Sequence, residues 1–449
     1  MSEAKRLRDV FSKKGIKNVK VGGFDIDGVL RGKFMSLDKF WSAVEGGFGF
    51  CDVIFGWDIT DVLYDNAKVT GWSTGYPDTQ ARIDTSTMRI IPWEPDTAAF
   101  FVDFVTPEGE PHPACPRSLL KTVLAKAAKQ GLSASFGVEF EFFIFNETSD
   151  SLHEKGFRNL DPLSRGMFGY SGLREGQNAD LMHDVLDLMT AYDIPIEALH
   201  TETGPGVYEV ALRYDEALRI ADKAALFKTA MKEICAQRGL AVTFMAKWNA
   251  DLPGSSGHLH QSLWKKGKNV FYKSGSEGNL SPFARHYLGG QIALMPQLTA
   301  LYSPTVNSYK RYVPGVWAPL TASWGLENRT CAIRAIAGDE KSTRLEYRQT
   351  AADIHPHTAI ATCLAAGLWG VENEIAPPSP AKGDASGGKL AQLPRTLKEA
   401  TALLAKSKEA REILGEPFID HYVRTREWEV RQYERVVTEW ELKRYFESI

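Results

Sequence analysis

The sequence predicts an α+β protein of two domains, a small strand-rich N-terminal domain and a larger domain of mixed strands and helices. The chain has 449 residues, more than one average hydrophobic core accommodates. Its hydrophobic fraction of 43% and charged fraction of 24% are ordinary for a globular protein. A proline-rich segment at 107–113 separates the two patterns, so we place the domains at 1–108 and 109–449.

Short alternating segments predict the elements of the N-terminal domain. Residues 5–15 form a charged helix, and residues 18–21 alternate polar and apolar side chains as a half-buried strand does. Residues 25–28 supply a turn, and the aromatic and β-branched run at 98–105 favours another strand. The prolines at 107–113 remove backbone donors and restrict their neighbours, so no regular element is expected there.

Helices and strands alternate through the second domain. Apolar residues at helical spacing predict helices at 117–130, 217–238 and 420–446. Apolar runs rich in aromatic and β-branched residues predict strands at 136–145 and 240–248. The segment 376–394, rich in proline, glycine and serine, is predicted to be a loop.

Bulk composition excludes several classes of function. The formal net charge of −3 gives no general attraction to nucleic acid or to an anionic membrane. The 5 cysteines are scattered without a CxxC pair, as reduced thiols are. No stretch of about 18 apolar residues exists, and the N-terminus leads into no apolar run. We therefore expect a cytoplasmic protein without signal peptide or membrane span.

The first candidate site residues are Glu139 and Glu141, two positions apart on the predicted strand at 136–145. Their side chains share one face of that strand. Like charges are costly to bury together unless cations lie between them. The strand is otherwise rich in phenylalanine, which favours an interior position, although one solvated polar face is the alternative.

Further carboxylates and two histidines follow along the chain. Glu202 and Glu209 flank a Gly-Pro-Gly turn, and a hairpin of this length brings both to one point, although a plain turn explains the same pattern. A glycine- and serine-rich run at 254–257 leads into His258 and His260, which share a face. Paired histidines after such a loop indicate a metal or phosphate contact, with a hydrogen-bonded core position as the alternative.

Arginines form the third group of candidate residues. Arg344, Glu346 and Arg348 alternate, so they face one side of a strand. The guanidinium fork matches carboxylates and polyphosphates, and a surface salt-bridge ladder is the alternative. The other arginines of this group are Arg311, Arg329 and Arg334. Carboxylates with histidine suit Mg²⁺ or Mn²⁺, and the arginines suit a triphosphate.

These stretches, in this order, resemble the glutamine synthetase family of bacterial type. The resemblance spans nearly the whole chain and is carried by GVEFEFF, ETGPGVYEV, GSSGHLHQSL, NSYKRYVPG, NRTCAIR and RLEYR. It implies a small N-terminal β-grasp domain and a larger catalytic domain with a curved antiparallel sheet and surrounding helices. It also implies homo-oligomers of stacked rings, a dodecamer in the family, with active sites between neighbouring subunits.

The resemblance implies a set of ligands for two or three ions of Mg²⁺ or Mn²⁺. One ion would bind Glu141, Glu202 and Glu209, and the ion that bridges ATP and glutamate would bind Glu139, His258 and Glu346. The positions implied for nucleotide binding are His260, Ser262, Arg334 and Arg344. The positions implied for glutamate binding are Gly254, Arg311 and Arg348, and those implied for catalysis are Arg311, Arg329 and Arg334.

The implied reaction joins the side-chain carboxylate of glutamate to an amine at the expense of ATP. A carboxylate does not react with an amine at neutral pH. Transfer of the γ-phosphoryl group of ATP converts it into an acyl phosphate, from which the amine displaces phosphate. The implied partners are therefore glutamate and a small amine, with no nucleic acid and no membrane.

This sequence departs from the family pattern at positions that the family uses to bind ammonium. Trp317 stands where the family has a loop glutamate that helps to deprotonate ammonium, and an indole offers an apolar wall instead. The Asp-Gly-Ser-Ser run that helps glutamine-forming members to hold ammonium is absent, either by loop drift or by a change of substrate, unless Asp58 or Asp61 substitutes for it. We expect a carbon-bearing amine in a pocket lined by Trp317, Phe55, Trp57 and Tyr64.

The missing glutamate also favours certain amines over others. An aromatic amine is largely neutral at pH 7 and needs no base, and a small apolar alkyl amine fits an apolar wall. Pro253 replaces a family asparagine, and residues 389–394 hold no tyrosine for adenylylation, which is predicted to be absent. The rival interpretations are an ammonia-using glutamine synthetase, a non-catalytic structural relative, and a guanidino-type phosphotransferase.

Overall fold

The computed structural model describes residues 3–387 and 390–449. Its N-terminal part is built on a five-stranded sheet with the strand order β2-β1-β5-β4-β3. The strands are β1 (Asn18–Phe24), β2 (Leu30–Met35), β3 (Phe48–Cys51), β4 (Asp78–Ile90) and β5 (Thr97–Val105). Strands β1 and β5 are parallel, and the other neighbours are antiparallel. The helices of this part are α1 (Glu3–Lys14) and α2 (Leu37–Gly46), with a 3-10 turn at Asp52–Phe55.

Aromatic packing holds α1 and α2 on this sheet. The rings of Phe11 and Phe40 stack with centroids 5.4 Å apart, and Phe100 on β5 lies 4.9 Å from Phe40. All three side chains are buried, so each removes apolar surface from water, the main favourable contribution to folding. The strand-rich N-terminal domain expected from the sequence is confirmed.

The second domain contains a nine-stranded sheet, most of it in the order β12-β13-β14-β10-β6-β8-β7. Its strands are β6 (Ser133–Phe145), β7 (Ile196–Thr201), β8 (Val207–Glu216), β9 (Ala241–Thr243), β10 (Leu259–Lys265), β11 (Lys268–Asn269), β12 (Trp324–Leu326), β13 (Ile333–Ile336) and β14 (Arg344–Tyr347). Strand β9 pairs with β6 and β11 pairs with β10. Every pairing is antiparallel except that of β12 with β13. The predicted α+β fold with a curled sheet is confirmed.

Helices surround the large sheet. They are α3 (Pro116–Lys129), α4 (Ser149–Glu154), α5 (Gly172–Gln177), α6 (Ala179–Ala191), α7 (Ala217–Ala236), α8 (Pro282–Tyr302), α9 (Pro356–Glu372), α10 (Leu397–Lys406), α11 (Lys408–Leu414), α12 (Glu416–Glu434) and α13 (Glu439–Tyr445), with 3-10 turns at Glu277–Asn279 and Ser308–Arg311. Helices α7, α8 and α9 are buried along most of their length. No helix within the described ranges is both long enough and apolar enough to cross a membrane.

An ion network joins the two domains. Arg117 on α3 donates to Asp84 at 2.8 Å and to Asp103 at 2.5 Å, both on the N-terminal sheet. Its Nε donates to Asp222 on α7 at 2.9 Å. A buried charge needs such partners, and here they belong to both domains. The predicted boundary at 108 falls in the segment between β5 and α3.

Two predicted elements differ from those observed. The predicted strand at 240–248 stops at Thr243, because the backbone of Lys247 exchanges hydrogen bonds of 2.8 Å with the side-chain amide of Asn307 instead of pairing with a strand. The predicted helix at 420–446 is two helices, because Thr438 and Glu441 form a capping box that begins α13. The segment 376–394 contains no helix or strand among its described residues. The loop at 389–394 is the one for which adenylylation is predicted to be absent, and its first residue, Lys389, lies outside the described residues.

Candidate active site

Adjacent strands of the large sheet carry most of the predicted metal ligands. On β6, Glu141 lies directly opposite Glu209 of β8. On β10, His260 lies opposite Glu346 of β14. Directly opposed residues on antiparallel strands hold their Cβ atoms about 5 Å apart, so the register of these pairs gathers the side chains without any loop. Strand register is therefore what assembles this site.

The first group, here called the Glu139 cluster, consists of Glu139, His258, His260 and Glu346. His258 Nδ1 lies 3.1 Å from Glu139 Oε2 and 3.6 Å from Glu346 Oε1. His260 Nε2 lies 3.0 Å from Glu139 Oε1. One ligand atom each from Glu139, His260 and Glu346 lie within 4.8 Å of one another. The structure thus brings together the three residues predicted for the bridging ion and adds His260, which the sequence placed only near the nucleotide.

The second group, here called the Glu209 cluster, consists of His200, Glu202 and Glu209. His200 Nε2 lies 3.6 Å from Glu209 Oε1, and its Nδ1 lies 3.8 Å from Glu202 Oε1. These three residues offer ligand atoms within 4.8 Å of one another. The hairpin of β7 and β8 brings the two glutamates together as predicted. Sequence reasoning missed His200, although its position two residues before Glu202 was a usable same-face signal.

Electrostatics show that both groups concentrate negative charge. Burial is the main cause that raises the pKa of Glu141 to about 7, and the neighbouring carboxylates of Glu209 and Glu202 contribute to this rise. The adjacent carboxylate of Glu209 is the main reason that the pKa of His200 rises to about 9. Burial opposes ionisation of Glu139, but hydrogen bonds from His258 and His260 hold its pKa below the usual range. Carboxylate oxygens with imidazole nitrogens form a donor set that fits Mg²⁺ or Mn²⁺.

Three of the predicted arginines surround the Glu139 cluster. Arg334 Nη1 donates to Glu346 at 3.2 Å, and Arg348 forms a short hydrogen bond to the same carboxylate. Arg344 Nε donates to His260 Nδ1 at 3.2 Å. By contrast, Arg329 is an exposed residue whose backbone carbonyl accepts from Arg348. Arginines beside clustered carboxylates supply the positive charge that an incoming phosphate needs.

Arg311 differs from the other arginines because it is buried and only partly satisfied. Its Nη2 donates to the carbonyl oxygens of Gln349 at 2.6 Å and Thr350 at 2.7 Å. Its Nε and Nη1 are buried and have no hydrogen-bond partner among the described residues. Burial lowers the pKa of Arg311. Unpaired buried N–H groups are costly, so this guanidinium fits a site that receives a carboxylate ligand.

A cleft of about 680 Å³ runs along one side of the Glu139 cluster. Predicted nucleotide-binding residues His260, Ser262 and Arg344 line it. Trp264 lines it as well, and its indole Nε1 donates to Ser262 Oγ at 3.0 Å. The cleft therefore offers a hydroxyl group, an aromatic ring and a guanidinium next to the carboxylates.

The predicted amine pocket is only partly supported. Trp317 is 71% exposed, after the turn that ends at Arg311. Phe55 is 0% exposed because its ring stacks on His112 with centroids 4.5 Å apart. Tyr64 is also buried, and its hydroxyl donates to Asp27 at 3.3 Å. Assigning Phe55 and Tyr64 to the pocket was therefore wrong, because both belong to the protein interior, whereas Trp57 remains half-buried.

Tyr170 is a further residue beside the Glu209 cluster that sequence reasoning missed. Its ring stacks on the imidazole of His200 with centroids 4.3 Å apart and an interplanar angle of 19°. Its backbone N–H donates to the carbonyl of Thr201 at 2.7 Å, which holds the preceding loop against β7. A single tyrosine in an irregular segment gives no sequence signal, so only the folded chain reveals this contact.

Carboxylate and imidazole clusters on a curled sheet, beside a cleft lined by Arg344, are typical of enzymes that use divalent metal ions to act on phosphate groups. A family model described as glutamine synthetase, catalytic domain, matches residues 113–445. The protein therefore belongs to the glutamine synthetase family, whose members are ATP-dependent carbon–nitrogen ligases. The resemblance inferred from the motifs is confirmed.

Individual relatives extend this assignment over the whole chain. Type-1 glutamine synthetase 2 of Dictyostelium discoideum is 49% identical over 438 residues, covering 96% of this chain and 84% of that protein. A glutamate–isopropylamine ligase of Pseudomonas sp is 38% identical over 449 residues, covering 99% and 98%. A solved structure described as a GmaS/ADP complex matches with a TM-score of 0.86 and 29% identity, covering 98% and 99%.

Proposed function

We propose that the protein ligates the γ-carboxylate of glutamate to an apolar alkyl or aryl amine through a γ-glutamyl phosphate intermediate. The observation that carries this proposal is the convergence of predicted ligands into the Glu139 and Glu209 clusters, the first of which lies beside the cleft lined by Arg344. The acyl phosphate explains why a ligase needs both features, since charge must be neutralised while a phosphoryl group moves between two anionic oxygens.

Each group of side chains has a proposed role. The Glu139 cluster would hold the ion next to the nucleotide, and the Glu209 cluster with Glu141 would hold the ion next to glutamate. When bound, Mg²⁺ or Mn²⁺ supplies positive charge that polarises the phosphoryl group. Arg334, Arg344 and Arg329 would bind the phosphate oxygens. Arg311, whose Nε and Nη1 have no partner within the described ranges, and Arg348 would orient the glutamate carboxylates beside Gly254.

The proposed class of amine rests on the side chain of Trp317. An indole accepts no proton and carries no charge, so it does not replace the glutamate that assists deprotonation of ammonium. Its exposed apolar surface favours a substrate with a carbon substituent. Similarity to a glutamate–isopropylamine ligase supports this choice, whereas the 49% identity to a glutamine synthetase keeps ammonia as the second candidate. Trp57 of a neighbouring subunit completes this pocket in the proposed ring-shaped homo-oligomer.

The test is release of phosphate that depends on both ATP and glutamate, measured with ammonia, methylamine, isopropylamine, ethanolamine, putrescine and aniline. We expect isopropylamine or aniline to give the highest kcat/KM. In Trp317→Glu, the preference should shift toward ammonia by about tenfold, because a carboxylate restores a proton acceptor. Trp440→Glu, at another exposed tryptophan, is the matched control and should keep the original preference. Highest turnover with ammonia in the wild-type protein would contradict the proposed amine.

A separate measurement tests whether the protein is a non-catalytic relative. Mn²⁺ together with a non-hydrolysable ATP analogue should raise the melting temperature, because ligands that bind only the folded state stabilise it. Glu346→Gln removes a carboxylate from the Glu139 cluster and should abolish that shift. A wild-type protein with neither a ligand-dependent shift nor phosphate release would be a structural relative without ligase activity.

A further inference from the structure

Arg311 ends the short 3-10 turn Ser308–Arg311, and a carboxylate outside the motifs holds the start of that turn. Asp353 Oδ2 accepts hydrogen bonds from Thr305 Oγ1 at 2.8 Å and from Ser308 Oγ at 2.7 Å. Each of these hydroxyl oxygens also accepts from the other residue's backbone N–H at 3.1 Å. The carboxylate and the two hydroxyl groups thus close a single hydrogen-bonded unit at the beginning of the turn.

The chain segment that contains Asp353 also binds the guanidinium group of Arg311. The guanidinium Nη2 donates to the carbonyl oxygens of Gln349 and Thr350, a few residues before Asp353. Segment 349–353 therefore fixes the backbone of the turn through Asp353 and fixes the guanidinium through its carbonyl groups. Both constraints act on one side of Arg311, and they leave Nε and Nη1 without partners among the described residues.

Charge explains why Asp353 does not simply pair with Arg311. Burial raises the pKa of Asp353, but hydrogen bonds from Ser308 and Thr305 and the positive charges of Lys228 and Arg311 oppose that rise. Its Oδ2 accepts from the two hydroxyl groups, and its buried Oδ1 has no hydrogen-bond partner among the described residues. The carboxylate therefore acts on the guanidinium of Arg311 through its charge and occupies none of its N–H groups. An arginine that formed a direct bidentate pair would have fewer donors left for a ligand.

We propose that Asp353 is a positioning residue for glutamate binding. It fixes the turn so that Nε and Nη1 of Arg311 remain directed at a substrate carboxylate, while its own charge supports the buried guanidinium. This inference rests on the proposed function, since it takes glutamate as the ligand of Arg311. Asp353 touches no reacting group, so it acts through Arg311 alone.

Asp353→Asn and Ser308→Ala test the inference at two points of the same unit. Each should raise KM for glutamate by about tenfold, since a charge-assisted hydrogen bond is lost, while KM for ATP stays unchanged and kcat falls by less than about threefold. Thr305→Ser keeps the hydroxyl group and should retain the wild-type KM, whereas Thr305→Val should resemble Ser308→Ala. Asp184→Asn, at a surface acid that pairs with Arg238, is the matched control and should change none of these constants.

Calorimetric titration with glutamate alone separates this inference from the proposed ligase activity. If the wild-type protein binds glutamate but ligates no amine, the proposed function fails, and weaker binding by Ser308→Ala still supports the role of Asp353. If the wild-type protein is active and both variants fold with an unchanged KM and affinity for glutamate, the inference is overturned. A uniform rise in every KM together with a lower melting temperature would also overturn it, because that outcome is a loss of structure and not of positioning.

Discussion

At the scale of single residues, Gly254 shows that steric contact restricts the identity of a residue at this site. A Cβ atom at position 254 would lie 2.6 Å from the carbonyl oxygen of Ala246 and 2.7 Å from Cγ of Arg311. The backbone carbonyl cannot move cheaply, so the side chain of Arg311 would have to shift. The sequence indicates Gly254 only through the family resemblance, whereas the structure gives the physical reason for glycine.

Gly254→Ala should raise KM for glutamate by about tenfold, because displacing Arg311 by a few tenths of an ångström weakens its hydrogen bonds to the ligand. Steady-state kinetics with varied glutamate measure the effect. Gly46→Ala is the matched control, since a Cβ atom there meets nothing within 4 Å, and it should leave KM unchanged. Unaltered glutamate kinetics in Gly254→Ala would contradict the placement of Arg311 at the glutamate site.

At the scale of elements, the hairpin of β7 and β8 assembles the Glu209 cluster. Gly206 in its turn has a φ of 71°, and a Cβ atom there would lie 2.6 Å from the carbonyl oxygen of Ile144. The backbone N–H of Glu202 donates to Val207 at 3.1 Å, which closes the turn. The two carboxylates therefore converge only if this turn keeps its tight conformation.

Gly206→Ala should weaken metal binding as well as stability. A left-handed alanine costs about 1–2 kcal/mol, and the clash with Ile144 additionally moves the turn that carries Glu202. The stabilisation by Mn²⁺ in a thermal shift titration should then require about tenfold more metal. Gly239→Ala is the control, because its φ is also positive at 69° but a Cβ atom there meets nothing within 4 Å. If both variants lose metal affinity equally, the turn is not what positions the carboxylates.

At the scale of the whole molecule, two buried histidines lie where the N-terminal domain meets α12. His112 stacks on Phe55 in the N-terminal core, and His421 belongs to α12. Burial is the main cause that lowers the pKa of each histidine to about 4, and His421 contributes to the lowered pKa of His112. Both ring nitrogens of His421 lack hydrogen-bond partners among the described residues. The interface is therefore built for neutral imidazoles.

Acidification should destabilise the protein through these histidines. Their folded pKa of about 4 lies below the unfolded value near 6.5, so the unfolded state binds more protons in that window and stability falls as the pH falls through it. At pH 5 each histidine costs about 2 kcal/mol relative to pH 7. Denaturant unfolding at both pH values measures the difference.

His421→Leu should reduce the loss of stability between pH 7 and pH 5 by about 2 kcal/mol, because it removes one buried imidazole that takes up a proton on unfolding. His183→Gln, at an exposed position, is the matched control and should keep the full dependence on pH. An equal loss of stability in His421→Leu and in the wild-type protein would place the titrating groups elsewhere.

Features that depend on local periodicity and on motifs could be predicted from the amino-acid sequence. Alternation along β6 puts Glu139 and Glu141 on one face, and the Gly-Pro-Gly turn predicts the hairpin that joins Glu202 to Glu209. The family followed from the order of such motifs. These features are set by residues close together in the chain, so a local pattern contains the necessary information.

Contacts between distant segments of the chain become visible only in the folded protein. Three contacts join residues that share no motif. Tyr170 stacks on His200, and Phe55 is buried against His112. Asp353 accepts hydrogen bonds from Thr305 and Ser308. The predicted helix at 420–446 is divided because Thr438 caps the start of α13, although the apolar spacing continues through this position. The physical reason is that burial and hydrogen-bond partners arise only when separate strands and loops pack together, and no local pattern specifies which segments will meet.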